Sequence, residues 1–188
     1  RHAVAVMRSG PPLWMVYSSF HIPDGDAPAR FGPVHRCADA RVKVRLDEGV
    51  RDVTGLVADI CRTALATLDY LDRDAGRVDL RVRMHVVADG REASRRTIAV
   101  GFGPRLSLAV PMLEDRQRML ALVVDVIAHE GSHVVDEVLG TGRALTVEGE
   151  VQAHRHALCA QLDVTGQLHR SGVPILPMVD GGSESFRR

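Results

Sequence analysis

The chain has 188 residues, 45% apolar and 26% charged, which excludes a disordered chain and suffices for one domain with a substantial core. Lys+Arg and Asp+Glu stand at 24 each, so no net field draws the chain to nucleic acid or an anionic membrane surface, and neither partner is expected. No apolar run approaches the ~18 residues of a membrane span, and no signal-peptide pattern is legible.

Arg1 stands first in place of methionine, which implies processing or trimming and leaves both a cytoplasmic and an exported protein open. Lys43 is the only lysine, and the arginines read as compositional bias, scattered rather than gathered into a stripe. Cys37, Cys61 and Cys159 are too few and too unevenly spaced for a disulfide scaffold or a cysteine zinc site. At most one bridge is expected, and Cys61, on the apolar face of a predicted helix, reads as a buried free thiol.

Ala3 to Met7 and Leu13 to Tyr17 are apolar stretches around a Gly-Pro-Pro turn and read as two strands. From His21 to Arg36 the density of Pro, Gly and Asp predicts a surface loop, with His35 and Cys37 at its end. Val42, Val44 and Leu46 alternate with Arg41, Lys43 and Arg45, the period of a half-buried strand whose basic face is its wet face. Apolar positions from Val50 to Leu71 follow helical spacing, predicting an amphipathic helix that lies on a sheet. Val78 to Val86 alternates as the clearest strand, with His85 turned from the core, and Ile98 to Phe102 and Leu106 to Val110 follow as two more.

The long stretch from Glu114 to Leu139 then reads as a helix that is buried from Met119 to Ala128. It carries His129-Glu130-Gly131-Ser132-His133. A spacing of four puts both imidazoles on one helical face, where they can share a metal ion, with Glu130 beside them to take a proton from water. Leu139-Gly140-Thr141-Gly142 stops the helix, and Thr146 caps a second one that returns antiparallel to it.

At 1.5 Å per residue, His133 lies about 9 Å and His129 about 15 Å from the end of the first helix, while Glu150 lies about 6 Å and His154 about 12 Å from the start of the second. Glu150 is therefore level with His133, and His154 falls near His129. Glu148 stands about 200° around the helix from Glu150, so only one of the two can face the metal. Glu150 is chosen as third ligand and Glu148 kept as the alternative.

His-Glu-x-x-His followed on a second helix by Glu150-Val151-Gln152-Ala153-His154 resembles the zincin metallopeptidases, in the gluzincin branch, whose third zinc ligand is a glutamate on the next helix. The family's Glu-x-x-Ala-Asp pattern is met at Glu150 and Ala153 and departs at His154, which stands either behind the metal ligands or among them. The metzincin branch is excluded, because Asp136 and Leu139 stand where it has Gly and His.

The resemblance implies a Zn2+-dependent peptidase, with zinc on His129, His133 and Glu150 and with Glu130 as general base; the alternative is a zincin-like zinc protein without peptidase activity, either a binding module or a hydrolase of non-peptide amides. Its substrate would be a peptide or protein paired along an edge strand, either 97–102 or 106–110. His156, His169 and Arg155 are candidates for stabilising an oxyanion. The expected fold is α+β: a zincin-like single domain over residues 1–170, with a mixed twisted sheet, a backing helix, a buried active-site helix and a following glutamate helix. An irregular tail, 171–188, ends the chain; oligomeric state is left open.

Overall fold

Val42, Val44 and Leu46 are buried while the residues between them are half exposed, so the alternation in the sequence becomes a strand with one dry and one wet face. Val82, Met84 and Val86 repeat the pattern, as do Leu106, Leu108 and Val110. The computed structural model describes residues 14–17, 31–47, 49–50, 55–75, 78–88, 99–102, 104–144 and 146–175. The expected strand at Ala3–Met7 and the tail beyond 175 lie outside them.

Among the described residues the strands are β1 (Trp14–Tyr17), β2 (Phe31–Arg36), β3 (Val42–Asp47), β4 (Arg81–Val87), β5 (Ala99–Phe102) and β6 (Arg105–Pro111). They form a six-stranded mixed sheet in the order β1-β5-β6-β4-β3-β2. β3, β4 and β6 run parallel, while β2, β5 and β1 each run antiparallel to the strand they join. The helices are α1 (Leu56–Ala75), α2 (Arg116–Val138) and α3 (Val147–Arg170). Together they give an α+β architecture.

The dry faces of β3, β4 and β6 share one apolar core with α1 and α2, through Ile60, Leu68, Met84, Leu108, Leu120 and Ile127. α3 packs outside, on α2 and α1. Val173 and Ile175 are buried, so the chain just past α3 returns to the core. No candidate membrane span occurs among the described helices.

Four expectations are corrected. Residues 31–36 are the edge strand β2, not loop: the register shifts between Phe31 and Val34, which accommodates Pro33. Gly32 is required there because a β-carbon would stand 2.7 Å from the Leu46 carbonyl oxygen. The strand expected from Val78 begins at Arg81, since Asp79 takes a left-handed φ of 54° that an extended strand does not contain.

Cys61 is not a free thiol. It is bonded to Cys37, with Cα atoms 5.5 Å apart, because the β2–β3 turn lies against the α1 face on which Cys61 sits; Cys159 remains free and exposed. Finally, of the two stretches expected as an edge, 97–102 and 106–110, neither presents a free edge over its described residues, 99–102 and 106–110. β5 is paired on both sides, by β1 and β6, and β6 lies between β5 and β4.

Candidate metal centre

Three anchors place α2. Asp115 caps it by accepting from the amides of Gln117 and Arg118. The buried Asp59 of α1 pairs with Arg116 at its first turn and with Arg62. Gly131, within the motif, lets it press inward: a β-carbon there would stand 2.6 Å from Leu71 Cδ1 and 3.2 Å from Leu80 Cδ2. The helix that carries both histidines is thereby seated hard on α1 and the approach to β4.

α3 is placed by the connection. The buried carboxylate of Asp136 accepts from Thr141 Oγ1 at 2.8 Å and from Arg143 Nη2 at 3.2 Å. The Arg143 carbonyl accepts from the amide and hydroxyl of Thr146, and Thr146 Oγ1 caps the amide of Gly149 at 3.0 Å. Gly140 and Gly142 supply the left-handed turns, at φ of 65° and 73°. Further on, Gln161 Nε2 donates to the Ala121 carbonyl at 2.6 Å. Contacts thus step backward along α2, from His133 to Ala121, as they step forward along α3, from Glu150 to Gln161, so the helices are antiparallel.

The two imidazoles and Glu150 converge. His129 Nε2 lies 3.5 Å from Glu150 Oε2 and His133 Nε2 lies 3.5 Å from Glu150 Oε1. The His129 ring is 5.0 Å from that of His133 and 4.6 Å from that of His154, centroid to centroid. Ligating atoms of His129, Glu150 and His154 fall within 4.8 Å of one another. Glu148 is exposed on the first turn of α3 and is not among the residues whose ligating atoms come together. Side-chain exposure grades from 1% at His133 through 16% at His129 to 36% at Glu150, so His133 forms the floor and Glu150 and the exposed His154 form the rim.

The electrostatics suit a cation. Burial pushes His129 down to about 4, helped by the neighbouring His133 and His154 and opposed by Glu150. Burial also lowers His133, opposed by Glu150 and Asp136. Both imidazoles are therefore neutral at pH 7, with the lone pairs a metal needs. Burial, and then the charge of Glu150, pushes Glu130 up to about 7.

Tetrahedral coordination with bonds of ~2.1 Å requires ligand atoms roughly 3.4 Å apart. Each 3.5 Å separation is of that size, but they run to different oxygens of Glu150, Oε2 for His129 and Oε1 for His133, so the carboxylate faces one imidazole with each oxygen; nitrogen and oxygen donors of this kind suit Zn2+ or a similar divalent ion.

Two residues escape a motif-based reading. Asp125 stands one turn before His129 on α2, where burial raises its pKa and the charge of His154 opposes the rise. Its signal was a single acid inside an otherwise apolar run, four residues from a histidine. Asp136, read only as an obstacle to one family pattern, fastens the α2–α3 connection. Of the residues proposed for an oxyanion, His156 turns to Gln152, with nitrogens 2.7 Å apart, and Arg155 and His169 are exposed.

No protein-family model, curated protein or solved structure matches this chain.

Proposed function

We propose that the protein is a zinc-dependent hydrolase acting on peptide amides, with a zincin-like arrangement of its motif helix and glutamate helix. The observation that carries the reading is the pair of 3.5 Å separations from Glu150 to the two motif histidines. His129, His133 and Glu150 would hold the ion. Bound there, zinc would supply a water of lowered pKa and a Lewis acid for the substrate carbonyl.

The chain's own part falls to Glu130. Its carboxylate, pushed up to about 7, sits near the point where accepting and returning a proton are both easy. It accepts a proton as water attacks and delivers it to the departing amine. A nearby cation favours the ionised form and draws its pKa down, which makes Glu130 the better acceptor. The Cys37–Cys61 bridge supports an oxidising compartment, where such bonds persist.

The test is metal content and turnover together. Protein prepared without chelator carries about one zinc per chain and cleaves members of a peptide library, and Glu130→Gln keeps the zinc while losing at least about 100-fold in rate. Equal cleavage by wild type and Glu130→Gln would overturn the mechanism.

A second reading is favoured by His154. If it joins His129, His133 and Glu150, four protein donors fill a tetrahedral site, as structural zinc sites do, and the protein binds metal without hydrolysis. Cobalt substitution separates the two. A spectrum that responds to added azide indicates an exchangeable position and favours the hydrolase; an unresponsive four-coordinate spectrum, lost in His154→Ala, favours the closed site.

A further inference from the structure

The arginines, scattered in sequence, are gathered in space. Alternate residues of β2, β3, β4 and β6 share the sheet face opposite the buried Val42, Val82 and Leu106. Register places Arg36 opposite Lys43, Lys43 opposite Arg83, and Arg81 opposite Arg105. Like charges directly opposite each other on neighbouring strands are destabilising, yet this face repeats the arrangement three times. On the same face, at the starts of the three parallel strands, a pocket of about 400 Å³ is lined by Arg41, Lys43, Arg81, Arg83, Arg105 and Ser107.

Among the described residues the acids that face these groups are few. Arg41 is held by Asp39, Asp69 and Asp72, and Arg81 by Asp79; Asp47 lies at the far end of β3. Arg83, Arg105 and Arg36 are exposed, Lys43 is half-buried, and none of the four makes an ion pair among the described residues. Among the described residues α1 and α2 pack on the buried face of the sheet, and none of His129, His133, Glu150 and His154 lines the pocket, so the two sites are separate.

We propose that this pocket binds a small molecule bearing two phosphate groups. The volume is that of a small-ligand site. Two phosphates carry about three to four negative charges near neutral pH, matching Lys43, Arg83 and Arg105, which line the pocket, with Arg36 outside the lining but opposite Lys43 on the neighbouring strand. Arginine forks pair bidentately with phosphate oxygens, and the Ser107 hydroxyl can donate to one more. A long polyanion is disfavoured, because the zero net charge of the chain leaves the rest of it with an excess of acids.

The experiment is titration calorimetry of the full chain with fructose 1,6-bisphosphate, fructose 6-phosphate and fructose as probes. The expected result is saturable one-to-one binding of the bisphosphate below about 0.1 mM. The monophosphate binds at least about 10-fold more weakly and the free sugar not at all. Arg83→Gln/Arg105→Gln weakens the bisphosphate by at least about 10-fold, whereas Arg170→Gln, at the end of α3, leaves it unchanged. If the double variant melts early, Arg105→Gln alone must show the same direction of loss. Non-saturable binding, equal loss in Arg170→Gln, or binding of single-stranded DNA in place of the bisphosphate overturns the proposal. Zinc content is measured in parallel and is expected to be the same in every variant, which keeps the outcome independent of the metal centre.

Discussion

Gly149 stands so close to Arg143 that a β-carbon on it would lie 2.0 Å from the Arg143 carbonyl oxygen. The obstacle is backbone, not a side chain that can swing away. Gly149→Ala must therefore shift the first turn of α3, and Glu150 is the next residue. The variant is expected to lose about 1–3 kcal/mol of stability and to bind zinc at least about 10-fold more weakly, read by chemical denaturation and chelator competition. Unchanged zinc affinity would show that the position of this turn does not govern the centre.

The two candidate glutamates make a direct contrast. Glu150→Gln should release zinc, since it removes the charge of the proposed third ligand, whose two oxygens lie 3.5 Å from the two histidines. Glu148→Gln, exposed on the same turn, should retain a full equivalent. Zinc retained in the first and lost in the second would exchange their roles.

Glu130 gives the metal-free protein a pH dependence of definite sign. The folded state holds its proton up to about 7, against an ordinary 4.5. The unfolded chain releases that proton as pH rises past 4.5, so the contribution is fully present below 4.5 and is lost on the way to 7, a change of roughly 3 kcal/mol. Glu130→Gln cannot titrate. Its stability relative to wild type should rise by that amount between pH 4.5 and 7.5 when both are stripped of metal.

His129, lowered from 6.5 to about 4, acts in the opposite sense. Its contribution is present above 6.5 and lost as pH falls toward 4, but it does so in both proteins and cancels in the difference. A pH-independent difference in unfolding free energy would show that Glu130 is not buried as described.

The bridge between Cys37 and Cys61 closes a segment with a sequence separation of 24. Loop-closure entropy for that length corresponds to about 3 kcal/mol. Reduction, or Cys61→Ser, should lower the unfolding free energy by that order, while Cys159→Ser, at an exposed thiol, should leave it unchanged. Equal stability of oxidised and reduced protein would show that the bond does not form in solution.

What was legible beforehand was whatever repeats with a period or a fixed depth. The alternation at Val42, Val44 and Leu46 survives folding as a strand. Helix rise alone put Glu150 level with His133 and His154 near His129, and the contacts fall there. What was not legible depends on partners distant in sequence. Gly32 and Pro33 look like loop residues until the Leu46 carbonyl explains the glycine and an edge position admits the proline. Cys61 had an ordinary place on an apolar helical face, and only the return of the β2–β3 turn gives it a partner. The strand of Val42–Asp47 shows a basic wet face by itself, but that it continues across β4 and β6 is a property of register among strands.

The antiparallel pairing of Trp14–Tyr17 with Ala99–Phe102 turns any use of that side of the sheet into self-competition. Because β1 belongs to the same chain, it contests the outer rim of β5 at an effective concentration that tethering sets in the millimolar range. An extended peptide added from solution takes that rim only by exchange, and its apparent affinity falls by the ratio of that local concentration to the strength of β1's own pairing. A chain that lacks Trp14–Tyr17 would meet no such rival.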